Sequence, residues 1–242
     1  MPTPPTAAQF VKQLKSFSTP EELKKIQRYF KSGEGQYGEG DKFLGVRMGQ
    51  VFALAKAFIE LPPDEIEKLL ESPLHEVRAG GLSIMDKQAR NKKTPASRRQ
   101  ELYDLYFRRM DRINNWDLVD LACPFVVGGY LYDKPRAILY KLARSRNIWE
   151  RRTAMISTLY FLRQRDVDDI FKIAELLLAD DQDLIHKAVG GLLRGAGDID
   201  RPRLLALLGR RAATMPRTML RYAIEHLSKE ERSHYLSLKL AG

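Results

Sequence analysis

The stretch IHKAVGGLLR (185–194) places one cation ahead of a run of small and apolar residues at the spacing of a single helix face. Three other stretches repeat the pattern: EVRAGGLSIM (76–85), ERRTAMISTL (150–159) and MLRYAIEHLS (219–228). Their shared basic positions are Arg78, Arg152, Lys187 and Arg221, separated by 74, 35 and 34 residues. The first interval is twice the others, and the missing unit falls near residue 115. A helix pair recurring every 34 to 37 residues is the signature of an α-solenoid of HEAT or armadillo type. The expected fold is therefore all-α, a HEAT-like solenoid over 1–242 as a single domain. In such a stack, equivalent positions line a concave face, so four basic residues in register predict a positive stripe suited to phosphates. The competing reading makes each of them the solvated end of an amphipathic helix.

Outward from these stretches the chain reads as helix almost throughout. Apolar residues recur at three- and four-residue spacing in 7–16, 21–31, 43–60, 63–71, 75–92, 97–113, 117–128, 134–145, 148–164, 167–179, 183–196, 201–213, 217–227 and 229–238. TPEE (19–22) and PPDE (62–65) put proline and acids at helix starts, while DIDRP (198–202) and TMPR (214–217) break later helices. KSGEGQYGEGDK (31–42) holds four glycines without apolar periodicity, and its 32–42 portion reads as a flexible loop. That loop is either a plain connector or a segment that touches a ligand.

Composition narrows the function. Lys and Arg total 41 against 31 Asp and Glu, a net charge of +10. A basic chain without a membrane-length apolar run favours an anionic partner, nucleic acid foremost. The N-terminus shows no secretion-signal pattern. One cysteine, Cys123, excludes an intrachain disulfide, and the histidines show no metal-ligand spacing. No P-loop, GxSxG or HExxH motif is present. The expectation is a cytoplasmic, nucleoid-associated monomer without cofactor or metal.

RINNWDLVDLACP (112–124) puts acids where the neighbouring units put bases. A carboxylate in a phosphate-binding groove is repelled by phosphate and needs a reason. One reason is structural: Asp117 caps or supports a helix start. Another is catalytic: a carboxylate stabilises a cationic sugar or orients water, and the spacing lets Asp117 cap while Asp120 points into the groove beside the π face of Trp116; the residues alone leave both readings open. Gly190 and Gly191 lie mid-helix, where each glycine costs about 0.5–1 kcal/mol relative to alanine, so either helix packing or room for a ligand is expected.

WDLVD (116–120), RNIWERRTAM (146–155) and HKAVGGLLR (186–194), with RYFK (28–31) and FLGV (43–46), together resemble the AlkD-type DNA alkylation repair glycosylases. The likeness runs over roughly residues 20–230. It implies base excision repair of double-stranded DNA: hydrolysis of the N-glycosidic bond of N3- and N7-alkylated purines, without base flipping. It also implies roles. Asp120 matches the catalytic aspartate and Trp116 the tryptophan that contacts the lesion's deoxyribose. Arg152 matches an arginine on the DNA backbone, and Tyr29 a tyrosine near the site. Lys187, Arg194 and Arg221 are further phosphate candidates, with Arg78 and RNKK (90–93) behind them. Two positions depart from the family's best-known form: Arg47 replaces a glutamine, and Gly191 replaces a second cleft tryptophan. Gly191 then leaves room for a bulky minor-groove adduct, or else weakens excision of small adducts. The alternative of another class is a non-enzymatic HEAT scaffold that binds DNA or protein.

Overall fold

In the computed structural model, which describes residues 5–34 and 36–238, every regular element is helical. Among the described residues one parallel β-bridge, Lys42 to Leu74, stands apart from them. No described helix is long and apolar enough to cross a membrane. The chain divides into two compact units, residues 1–130 and 131–242.

The first unit contains α1 (Ala7–Lys15), α2 (Pro20–Tyr29), α3 (Met48–Ala57), α4 (Pro63–Leu70), α5 (His75–Arg90), α6 (Ala96–Arg108) and α7 (Trp116–Cys123). Local chemistry sets several starts. Thr6 caps α1 in a capping box, and Thr19 caps α2 with Pro20 following at the first helical position. Pro124 offers no N–H to the turn before it, and the chain widens into a π-turn over Pro124–Gly128 after α7.

Helix α5 is the axis of this unit and packs against α3, α4 and α7. Nearly all of it is buried, including Val77, Leu82, Ile84 and Met85. Each such side chain contributes about 1.5–3 kcal/mol when fully buried. Gly80 and Gly81 permit the close approach: a Cβ on Gly80 would collide with the Phe10 ring, and one on Gly81 would lie 3.2 Å from Leu69 Cβ. Gln88 donates to the carbonyls of Ile59 and Leu61 at 2.7 and 2.8 Å and ties the α3–α4 turn to α5.

The helix expected over 43–60 starts only at Met48. Residues 43–47 form no helix because the buried carboxylate of Glu76 accepts the N–H groups of Leu44, Gly45 and Val46 at 2.8, 2.8 and 3.3 Å. These bonds outcompete a local helical turn, and Gly45 takes a φ of +87° there.

The second unit contains α8 (Ala137–Leu142), α9 (Ile148–Arg163), α10 (Asp168–Leu177), α11 (Asp183–Ile199), α12 (Arg201–Arg211), α13 (Arg217–Ala223) and α14 (Lys229–Ser237). The repeated stretches begin on α9, α11 and α13, and these pack in sequence, α9 on α11 and α11 on α13. A helix pair per period, each stacked on the next, is a helical-repeat architecture. Helix α13 stops at Ala223, short of the expected residue 227.

Candidate functional site

A cleft of about 500 Å³ opens in the first unit. Phe30, Val46 and Trp116 contribute apolar surface, Tyr29 stands at the mouth, and Glu22, Lys25 and Arg47 supply charge. Tyr29 is 63% exposed and meets the Trp116 ring at 6.2 Å and 61° between planes. Phe30 lies 6.0 Å from Trp116, and it also meets Tyr29 edge-on at 5.2 Å, Phe43, stacked at 5.3 Å, and the His75 ring at 4.8 Å. Edge and offset arrangements of this kind favour one relative placement of the rings.

Beneath the aromatic layer lies a buried polar cluster. His75 Nε2 and Asp117 Oδ2 are 2.8 Å apart, and His75 Nδ1 is 3.7 Å from Asp41 Oδ2. Arg78 Nη2 donates to Asp41 Oδ1 at 2.8 Å and to Asn114 Oδ1 at 3.0 Å. Asn114 and Asn115 each donate a side-chain N–H to Asp41, at 3.1 and 2.9 Å. Arg78 also donates to the carbonyls of Ser72 and Pro73. Burial opposes charge on His75, but the carboxylates of Asp117 and Asp41 outweigh it and raise the imidazole to about 9. Burial likewise opposes charge on Asp41, and His75, Asn115 and Arg78 outweigh it, lowering that carboxyl to about 2. At neutral pH His75 is a buried cation held between acids.

Two expectations change here. The cap of α7 is Asn115, whose side chain accepts the N–H of Trp116 at 2.8 Å, and not Asp117. Asp117 instead binds His75 and lines the cleft beside Trp116. Arg78 is 3% exposed and its two terminal nitrogens are bound to internal acceptors, so it does not join a surface stripe. The reason is burial of its helix on every side: a cation at that position is kept only with a carboxylate partner.

The remaining expected residues fall as follows. Tyr29, Arg47 and Trp116 line the cleft, with Arg47 bound to Glu22 at 2.9 Å. Asp120 is one turn beyond Trp116 on α7, partly exposed, and outside the cleft lining. In the second unit Arg152 of α9 is 6% exposed and donates to the carbonyl of Leu184 at 2.6 Å. Lys187 pairs with Asp183 at 2.7 Å, Arg194 pairs with Glu225, and Arg221 is exposed. The two glycines of α11 separate. A Cβ on Gly190 would lie 2.5 Å from both Met219 O and Tyr222 Cβ, whereas one on Gly191 would meet nothing within 4 Å. Trp149 is half-buried.

Sequence reading passed over Asp41, His75 and Glu76. The signal was in LHEVR (74–78), three ionisable residues just ahead of the run AGGLSIM (79–85). Ions there are buried, and so must be paired. The 32–42 loop is likewise more than a spacer: its end delivers Asp41 to this cluster.

The fold and cleft define an all-α helical-repeat protein with an aromatic pocket built over a buried ionic cluster. The family model described as DNA alkylation repair enzyme matches residues 10–227, and the chain belongs to that family. Among solved structures, one described as a predicted DNA alkylation repair enzyme from Enterococcus faecalis superposes with a TM-score of 0.68. It is 19% identical, and the match covers 88% of this chain and 97% of that one, a likeness of fold. No curated protein matches the chain significantly.

Proposed function

We propose that the protein is an alkylpurine DNA glycosylase that hydrolyses the N-glycosidic bond of N3- and N7-alkylated purines in duplex DNA. The observation that carries this reading is the presentation of Trp116 on the cleft by α7, with Asp120 one turn further along the same helix, in a chain of the DNA alkylation repair family. An alkylated purine is cationic and leaves without protonation. As it departs, the deoxyribose gains oxocarbenium character. The Asp120 carboxylate stabilises that charge and orients the attacking water, which delivers hydroxide to the anomeric carbon and a proton to solvent. Trp116 adds a π face toward the cationic sugar. No base flipping is required in this scheme.

Lys187, Arg194 and Arg221 are the phosphate-contacting candidates of the second unit, and Tyr29 and Arg47 are the DNA-binding candidates of the first. Arg152 is the least accessible of the set. Gly191, where a Cβ would meet nothing within 4 Å, is the candidate for bulky-adduct acceptance that the resemblance implies, and it is not among the residues lining the cleft.

The test is release of a bulky N3-adenine adduct and of N7-methylguanine by wild type and Asp120→Asn. Lost excision with near-unchanged DNA affinity in the variant supports the enzyme. Slow release of both adducts by wild type sinks the enlarged-cleft idea. A wild type that binds DNA with steep salt dependence but excises nothing is a non-enzymatic scaffold. The position of Asp120 outside the cleft lining is the observation that favours this second reading.

A further inference from the structure

The glycine-rich loop ends in Asp41, and Asp41 reaches both sequence neighbours of Trp116. On one side its Oδ2 accepts from Asn115 Nδ2 at 2.9 Å, and Asn115 Oδ1 in turn accepts the N–H of Trp116 at 2.8 Å. On the other side it faces His75, whose Nε2 binds Asp117 Oδ2 at 2.8 Å. Asn115 and His75 are fully buried, and Phe30 packs on both the His75 and Trp116 rings. The Trp116 backbone is therefore flanked at residue 115 by a hydrogen bond to Asp41, and at residue 117 by the His75 pair, whose Nδ1 lies 3.7 Å from the same carboxylate. Arg78 fixes that carboxylate from below through Asp41 Oδ1. Neither link is needed to form α7, because Asn115 caps the helix without Asp41.

We infer that Asp41 is a positioning residue, which acts through Asn115 and through the His75–Asp117 pair to hold Trp116 at the cleft, so that the glycine-rich loop sets the geometry of the aromatic surface. The inference rests on the reading of Trp116 as the side chain that meets the lesion sugar. It makes the loop a determinant of turnover rather than of DNA affinity.

The experiment uses the full chain in a Trp149→Phe background, where Trp116 is the sole tryptophan. Asp41→Asn is expected to shift Trp116 emission to the red and raise its quenching by acrylamide. Excision of N7-methylguanine should lose about tenfold or more in kcat, with KM changed by no more than about twofold. In the reciprocal Trp116→Phe background, the emission of Trp149 should not respond to Asp41→Asn; a response there marks general loosening and overturns the inference. Should Asp41→Asn not fold, Asn115→Ser decides, since serine still caps α7 but does not carry the amide that binds Asp41. A folded variant of either kind with Trp116 emission and quenching as in the parent overturns the inference. If the parent excises nothing, the glycosylase reading fails, and the fluorescence measurements still decide whether Asp41 positions Trp116.

Discussion

The side chains of His75 and Asp117 meet at 2.8 Å beneath Trp116, bringing together the heads of α5 and α7. The imidazole is fully buried, packs against Phe30 and Phe43, and faces a second acid, Asp41, which is itself bound to Arg78. A cation in such a place exists only by virtue of its partners.

That arrangement makes stability depend on pH in two windows. His75 is raised from 6.5 to about 9, so its contribution is fully present below pH 6.5 and is lost as pH rises through 9. Asp41 is lowered from 3.8 to about 2, so its contribution is present above pH 3.8 and is lost as pH falls through 2. Urea unfolding midpoints should therefore decline between pH 7 and 9.5. In His75→Gln that alkaline decline should be markedly shallower, and equal slopes would remove His75 from the account.

Arg78→Met should destabilise the protein by about 3–5 kcal/mol, because Asp41 stays buried after losing the cation that is hydrogen-bonded to it. Denaturant unfolding measures this directly. The salt dependence of DNA binding should not change. A reduced salt slope with unaltered stability would instead return Arg78 to the DNA-facing set.

The two glycines of α11 should respond in opposite directions. Gly190→Ala forces a methyl against Met219 O and Tyr222 Cβ and should cost about 1–3 kcal/mol. Gly191→Ala enters open space and should gain about 0.5–1 kcal/mol from helix propensity. Thermal unfolding of the pair checks both signs at once.

Arg47 is engaged by Glu22, which also binds Lys25 at 2.9 Å. Both cations hold the Glu22 carboxyl below its usual range. Glu22→Gln releases them at the cleft rim, with little effect on stability for so exposed a set of pairs. If Arg47 meets phosphate, the variant should bind duplex DNA more tightly at low salt. The slope of log affinity against log salt should steepen by up to about one for each released cation. A slope equal to that of wild type would place Arg47 outside the DNA contact.

Much of the helical pattern was legible in the sequence because its signals are local. Thr19 with Pro20 starts α2, and Asp200 with Pro202 starts α13's predecessor α12, through bonds within one turn. The recurrence of Arg152, Lys187 and Arg221 marked three helices that do stack in order. The same recurrence misread Arg78, since a repeat register gives a position in a helix but not what packs over it. The WDLVD stretch announced a cleft residue in Trp116, yet the roles of its acids were not readable there. The partner of Asp117 lies 42 residues away, and the Asn115 amide binds a carboxylate 74 residues away.

By itself, then, the sequence determined the helices, their period, the basic balance and the kinship to alkylation repair, all of which depend on residue type and short-range spacing. Only the tertiary structure decided between residues of one type. Gly190 is a contact and Gly191 an opening, Arg78 is a buried counter-ion and Arg221 an exposed cation, and Asp117 belongs to the cluster under Trp116. The physical reason is that desolvation and pairing act through space. A charge or a missing side chain takes its meaning from whichever distant segment the fold presses against it.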